Sequence, residues 1–154
     1  MLKINDKIPN FEILTDQGEF KVSNHIGKNI VIFFFPKADT SGCTAESVAF
    51  TNLQTNFHQL NCIVIGISKD NIKKQAKFRE KYNLTCELGS DFENNICEKF
   101  GVWVEKSMYG RKYMGIQRAT FLSDRKGIIT DVWEKVKVPG HAEEVLEAVK
   151  KLSE

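Results

Sequence analysis

The amino-acid sequence predicts a three-layer α/β sandwich, a central sheet with helices packed on its faces. Two observations carry that expectation. In the first half of the chain, apolar runs rich in β-branched and aromatic residues alternate with helical patterns: NIVIFFFP precedes residues 44–60, and CIVIGISKD precedes residues 71–82. Unbroken apolar runs of this kind belong to strands covered on both faces. In the second half ATFLSD and GIITDVW, joined through Arg125-Lys126, read as a hairpin, and a final helix follows.

The elements follow in order. Phe11 to Leu14 and Phe20 to Val22 flank the turn-prone Asp16-Gln17-Gly18, which predicts an opening hairpin outside the main repeat. Pro36 ends the first central strand. Residues Thr44 to Leu60 have few helix breakers and place Val48, Leu53, Phe57 and Leu60 near helical spacing, so one helix is expected, with Cys43 at or near its start. Ile72, Ala76 and Phe78 are the expected inner residues of the next helix. Asp91 is expected to cap a short helix ending near Gly101, and VWVEKSMYGRKYMGIQR, with no clean period, is expected to be loop or irregular. The last helix has the clearest pattern, with Ala142, Val145, Leu146, Val149 and Leu152 on one face and Glu and Lys residues on the other.

A chain of 154 residues, 42% of them hydrophobic, suffices for one domain, residues 1–154, with a core that needs no disulfides. The net charge is +2 and the charged residues are interspersed, which argues against a nucleic-acid partner. MLKINDKIPNFEIL lacks an apolar leader and no later run is long enough to span a bilayer, so a soluble cytoplasmic protein without a membrane partner is expected. The four cysteines, Cys43, Cys62, Cys86 and Cys97, form no C-x-x-C pair, and His25, His58 and His141 share no ligand spacing. Neither metal nor organic cofactor is expected, and cytosolic thiols rest reduced.

Chemistry concentrates in FFFPKADTSGCTAESVAF, where a buried strand passes through a Pro-containing loop into a helix that starts near a cysteine. Unpaired N–H groups and the positive end of the helix dipole favour a thiolate there, lowering a thiol pKa that is ordinarily about 8.5. Thr40, three residues earlier, would bring a hydroxyl to the sulfur, the N–H groups of Gly42 and Cys43 would add fixed dipoles, and Gly42 would keep the approach open. A guanidinium would complete an anion-stabilising site, but this segment contains no Arg, so one must arrive from elsewhere in the chain.

Pro36, Thr40 and Cys43 reproduce the Pro-x-x-x-Thr-x-x-Cys signature, and the chain resembles the peroxiredoxins. FFPKADTSGCTAE, VIGISKD, CEKFGVW, MYGRKYMGIQRATFL and VKVPGHA make it similar to the Q class, also called the bacterioferritin comigratory protein subfamily, over almost its whole length. The resemblance implies a thioredoxin fold with an N-terminal hairpin and a central mixed sheet flanked by helices. It also implies thiol-dependent reduction of hydrogen peroxide and organic hydroperoxides through a sulfenic acid on Cys43. It supplies the missing guanidinium as Arg118, makes Thr40 the peroxide-binding hydroxyl and Pro36 the shield of the sulfur, and has Glu46 orient Arg118. Thioredoxin, glutaredoxin or glutathione would be the reductant, and the chain would be a monomer.

Taken singly, these residues have plainer readings: Cys43 as a small buried residue, Thr40 as a cap, Pro36 as a strand stop and Arg118 as a surface charge. Their combination in one pattern favours chemistry. Q-class proteins often carry a resolving cysteine five residues after the first or on the following helix, and here those places hold Val48 and Arg79. A one-cysteine cycle resolved by an external thiol is therefore expected. The rival is a disulfide from Cys43 to Cys86, Cys62 or Cys97, with Cys62 and Cys97 otherwise read as core filling. A redox relay that passes a disulfide from Cys43 to a partner is the alternative function. The catalytic reading requires that the sulfur not be sealed in the interior and that residue 118 face it.

Overall fold

The computed structural model describes residues 1–152. The opening hairpin forms as β1 (Glu12–Thr15) and β2 (Gly18–Lys21), and β1 also pairs antiparallel with β5 (Glu87–Ser90). The hairpin is thus an edge of the main sheet. The centre is β3 (Asn29–Phe34), parallel to β4 (Cys62–Ser68), which is parallel to β5. β8 (Ala119–Ser123) runs antiparallel beside β3, and β9 (Ile129–Trp133) pairs with β8 through an irregularity at Leu122/Ser123. The resulting seven-stranded order is β2-β1-β5-β4-β3-β8-β9.

Alternation along β3 builds two cores from one strand, because successive side chains leave a strand on opposite faces. Val31, Phe33 and Phe35 join the core that contains Phe50, Phe57, Phe78, Val145 and Val149. This face is covered by α1 (Ser41–Asn52), α2 (Gln54–Gln59), α3 (Ile72–Tyr82) and α5 (His141–Leu152). Ile30, Ile32 and Phe34 join the opposite core, with Phe11, Phe20 and with Ile96, Cys97 and Phe100 of α4 (Ile96–Phe100). Gly66 of β4 lies opposite Phe33, and a Cβ there would come within 2.5 Å of the Phe33 ring. The aromatic ring occupies the space that a side chain would need.

Three local expectations change. Residues 44–60 form two helices rather than one, with Leu53 closing α1 and opening α2. Thr51 and Asn52 are weak helix formers, and the Thr51 hydroxyl accepts the Thr85 N–H at 3.1 Å, so the chain bends where α1 meets its neighbour. In α3, Ile72 and Ala76 are exposed, while Gln75 is buried alongside Phe78. The Gln75 amide donates to Ser68 Oγ at 3.0 Å and to the Gly89 carbonyl at 2.9 Å, which makes a polar side chain suit that position.

The third change concerns the segment expected to be irregular. It is a two-stranded ribbon, β6 (Trp103–Met108) and β7 (Arg111–Ile116), paired in register from Trp103↔Ile116 to Met108↔Arg111. Tyr109 and Gly110 both take positive φ, 52° and 78°, as a two-residue hairpin turn requires. The ribbon lies outside the main sheet and most of it is exposed, so it carries no inside-outside alternation for sequence reading to detect. Asp91 does cap α4, from outside the helix, its carboxylate accepting the N–H groups of Ile96 and Cys97 at 3.1 and 2.8 Å. No helix of the described residues is long and apolar enough to cross a membrane.

Candidate active site

The parallel pair β3 and β4 brings two loops to one end of the sheet, Pro36–Thr40 after β3 and Lys69–Asn71 after β4. Thr40 is the N-cap of α1 in extended conformation, and the first intrahelical bond runs from Thr44 N–H to Thr40 O at 2.8 Å. The N–H groups of residues 41–43 therefore precede the helical ladder. Cys43 sits in this first turn, where the helix dipole favours negative charge.

Arg118, immediately before β8, reaches the same point. Its Nη2 donates to Cys43 Sγ at 3.2 Å and its Nη1 donates to Glu46 Oε1 at 2.6 Å. Residues 43 and 46 lie three apart on α1, one above the other on one helix face, so a single guanidinium can bridge them. Gly42 makes room for this arrangement: a Cβ there would lie 3.1 Å from Arg118 Nη2.

Glu46 is almost fully buried, and its Oε2 has no hydrogen-bond partner. Burial pushes its pKa up to about 7, against the opposing pull of the Arg118 charge and hydrogen bond. Burial also works against the Arg118 charge, but Glu46 and Cys43 outweigh it and hold the guanidinium pKa above its ordinary value.

Access differs from expectation. Residue 43 has no exposed surface, so the first of the two sequence requirements is not met in this conformation. The second is met, since Arg118 faces the sulfur. The Arg118 side chain that reaches the sulfur is 17% exposed, and Pro36 and Gly42 are half-buried. A reactant reaches this sulfur only if its cover moves.

Thr40 is exposed and its hydroxyl donates to the Lys37 carbonyl at 2.9 Å rather than into the site. The loop that carries Pro36 and Thr40 is instead held from outside. Ala38 N–H donates to Asp70 Oδ2 at 2.8 Å, and the Asp39 carboxylate accepts Tyr82 Oη at 2.6 Å and Lys81 Nζ at 3.0 Å. Asp39 takes φ of +62°, a left-handed conformation that Asp tolerates better than most residues.

Sequence reading passed over these anchors, and also His141. That imidazole is buried at the start of α5, with Nε2 2.8 Å from Thr120 Oγ1 and edge contacts to Phe50 and Trp133. Val136 N–H also donates to the Arg118 carbonyl at 3.2 Å, so the VKVPGHA segment holds the strand that presents Arg118. The only advance signal was the motif itself.

The structure separates the other cysteines from Cys43. Thr51 Oγ1 is 3.9 Å from Cys86 Sγ, and Thr51 lies eight residues along α1 from Cys43, about 12 Å of helix. Cys62 begins β4 opposite Asn29, at the other end of the β3 pairing from the site, and Cys97 belongs to the core across the sheet. Burial pushes the Cys62 thiol up to about 12 and the Cys86 thiol up to about 11, and raises Cys97 as well. Arg79, where a resolving cysteine would stand, donates to the Asp16 carboxylate and to the carbonyls of Leu84 and Cys86. Among the described residues, no group of three or more His, Cys, Asp or Glu side chains is placed to hold a metal.

The family model for AhpC/TSA proteins matches residues 4–132. The chain belongs to the AhpC/TSA family. Within that family it is 42% identical to the peroxiredoxin Bcp of Bacillus subtilis over 99% of this chain and 98% of that protein. It is 43% identical to a Coxiella burnetii protein named as a peroxiredoxin bcp, over 94% and 97% of the two chains. The Xylella fastidiosa PrxQ structure, a C47S mutant, superposes with a TM-score of 0.94 at 34% identity, covering 100% of this chain and 99% of that one. A structure of the Xanthomonas campestris bacterioferritin comigratory protein, from work on its alkyl peroxide reduction, gives 0.91 at 33% identity over 99% and 100%. The architecture of this AhpC/TSA member is the thioredoxin fold of the peroxiredoxins, and its activity is that of a thiol-dependent peroxidase.

Proposed function

We propose that Cys43 is the peroxidatic nucleophile, that Arg118 stabilises both its thiolate and the charge developing on peroxide, and that the cycle uses one cysteine. The observation that carries this reading is the single guanidinium shared between Cys43 Sγ and Glu46 Oε1. The thiolate attacks the near oxygen of ROOH; an S–O bond forms, the O–O bond breaks, and RO⁻ takes a proton to leave as ROH. Fixed positive charge is most effective where negative charge develops, and here that is the departing oxygen. Glu46 acts through Arg118, holding its far nitrogen so that the near one points at sulfur. Pro36 shields the sulfur, and Thr40 turns its hydroxyl from Lys37 to the substrate when peroxide enters.

The remote, neutral positions of Cys62, Cys86 and Cys97 support resolution of the sulfenic acid by an external thiol. That thiol forms a mixed disulfide with Cys43 and releases water; a second thiol then frees Cys43. Thioredoxin, glutaredoxin and glutathione are the candidate reductants, hydrogen peroxide and organic hydroperoxides the substrates, and a monomer in the cytoplasm the expected form.

Peroxide consumption with excess thiol tests the assignment. Cys43→Ser is expected to abolish turnover and Arg118→Ala to slow sulfur oxidation by about a hundredfold or more. Normal turnover of the Cys43→Ser protein would remove the assignment. After one equivalent of peroxide, intact mass should show sulfenic acid or an external adduct; a Cys43 intramolecular disulfide in most molecules would overturn the one-cysteine cycle.

A further inference from the structure

The β6–β7 ribbon is exposed in an unusual way. Met108, Tyr109, Tyr113 and Met114 are 56%, 98%, 43% and 49% exposed, a run of large apolar side chains on one short element. An isolated two-stranded hairpin is marginal in water, and among the described residues this one pairs with no further strand. Its charge is also uneven. Lys106, Arg111 and Lys112 against Glu105 leave it at +2, the net excess of the entire chain. The ribbon's ion pair, Lys112 to Glu105 at 3.9 Å, is open to solvent and does little to quench that charge.

The ribbon also adjoins the site. β7 ends two residues before Arg118, and Gln117 N–H ties its base to the Val102 carbonyl at 2.7 Å. In the antiparallel register Val104↔Gly115, Lys106↔Tyr113 and Met108↔Arg111 share one face. The half-buried Lys106 stem crosses Gly115, its Cδ 3.2 Å from where a Cβ would stand. Burial and the Arg118 charge push the Lys106 ammonium pKa down, and Cys43 pulls it up.

We propose that the β6–β7 ribbon is the docking surface for a protein dithiol reductant whose active-site face is apolar and rimmed by Asp and Glu. The inference rests on the external-thiol reading above. With the other three cysteines remote, the reducing thiol must be carried to Cys43 from outside, and its carrier must land on what borders the site. A second copy of this chain is a poor occupant, because pairing two cationic ribbons is repulsive. Once docked, the partner's first thiol attacks Cys43–SOH, forming a Cys43–S–S–partner bond and releasing water. The partner's second thiol then attacks its own half of that bond, leaving Cys43 reduced and the partner as an internal disulfide.

The test oxidises the full chain with one equivalent of hydrogen peroxide and follows re-reduction by an acidic thioredoxin or, separately, by dithiothreitol. Arg111→Glu/Lys112→Glu and Met108→Ser/Tyr109→Ser are each expected to lower the thioredoxin rate constant at least about tenfold, the first pair by an amount that shrinks with added salt. Oxidation by peroxide and reduction by dithiothreitol should be unchanged, which also reports an intact fold. Wild-type thioredoxin rates in both double variants would overturn the proposal. So would ribbon-dependent binding to anionic phosphatidylglycerol vesicles without any change in thioredoxin rate. If thioredoxin fails on the wild type while dithiothreitol works, docking is overturned and the external-thiol reading stands. If neither reduces it and mass shows an internal Cys43 disulfide, the underlying reading falls as well.

Discussion

The Arg79 guanidinium grips the Asp16 carboxylate through Nε to Oδ2 at 2.6 Å and Nη2 to Oδ1 at 3.1 Å, with side-chain exposures of 14% and 3%. The pair fastens α3 to the turn of the opening hairpin, and the same guanidinium closes the α3–β5 connection at Leu84 and Cys86. Where the Q-class resemblance would put a resolving cysteine, this chain has a cross-brace.

Arg79→Ala should therefore lower unfolding free energy by about 3–5 kcal/mol, because it leaves the buried Asp16 carboxylate unpaired. Arg79→Cys should be destabilised similarly. Chemical denaturation measures both, and a loss below about 1 kcal/mol would show that the pair is not buried in solution.

Gly42→Ala separates catalysis from stability. The added methyl would press on Arg118 Nη2 at 3.1 Å and move it off the sulfur, and misplacement by about 1 Å can cost on the order of a hundredfold in rate. Alanine is also the better helix former, so stability should hold or rise. Stopped-flow oxidation beside a thermal melt would check this, and a wild-type oxidation rate would show that the guanidinium position is not rate-determining.

Glu46 and His141 give opposite pH dependences. The Glu46 pKa rises from 4.5 to about 7 on folding, so the native state holds the extra proton and stability falls as pH climbs through that window, by about 3 kcal/mol at most. The His141 pKa falls from 6.5 to about 4, chiefly through burial, so the unfolded state holds the extra proton and stability falls as pH drops through that window. Between pH 4.5 and 6.5 the two offset each other. Glu46→Gln should make the protein lose stability more steeply on acidification than wild type, and His141→Gln should make it lose stability more steeply as pH rises towards 7. Denaturant midpoints across this range test the signs, and parallel curves for all three proteins would refute them.

Tyr82→Phe removes the hydroxyl that binds Asp39 at 2.6 Å and loosens the loop carrying Pro36 and Thr40. Sulfur oxidation should slow by up to about tenfold with little change in thermal midpoint, because the lost bond is exposed and acts on positioning. A drop in midpoint at an unchanged rate would show that the contact serves the fold alone.

The sequence by itself determined the elements whose side-chain pattern repeats the geometry of their burial. These are the two central strands, the β8–β9 hairpin, the α5 stripe, and the passage from β3 through Pro36 to a cysteine at a helix start. The family resemblance, not the pattern, supplied Arg118 for Cys43 and Glu46 to orient Arg118, and the structure brings the three together. Pattern failed where burial and polarity part company. Gln75 is buried with its amide nitrogen donating to Ser68 and Gly89, Ile72 and Ala76 are exposed because no element covers them, and β6–β7 alternates against nothing. Only the tertiary structure decided what covers the Cys43 sulfur, which residues pin the loop before it, and how far each other thiol lies from it. Those are distances between segments remote in the chain, and they follow from how the layers pack, which one-dimensional spacing does not encode.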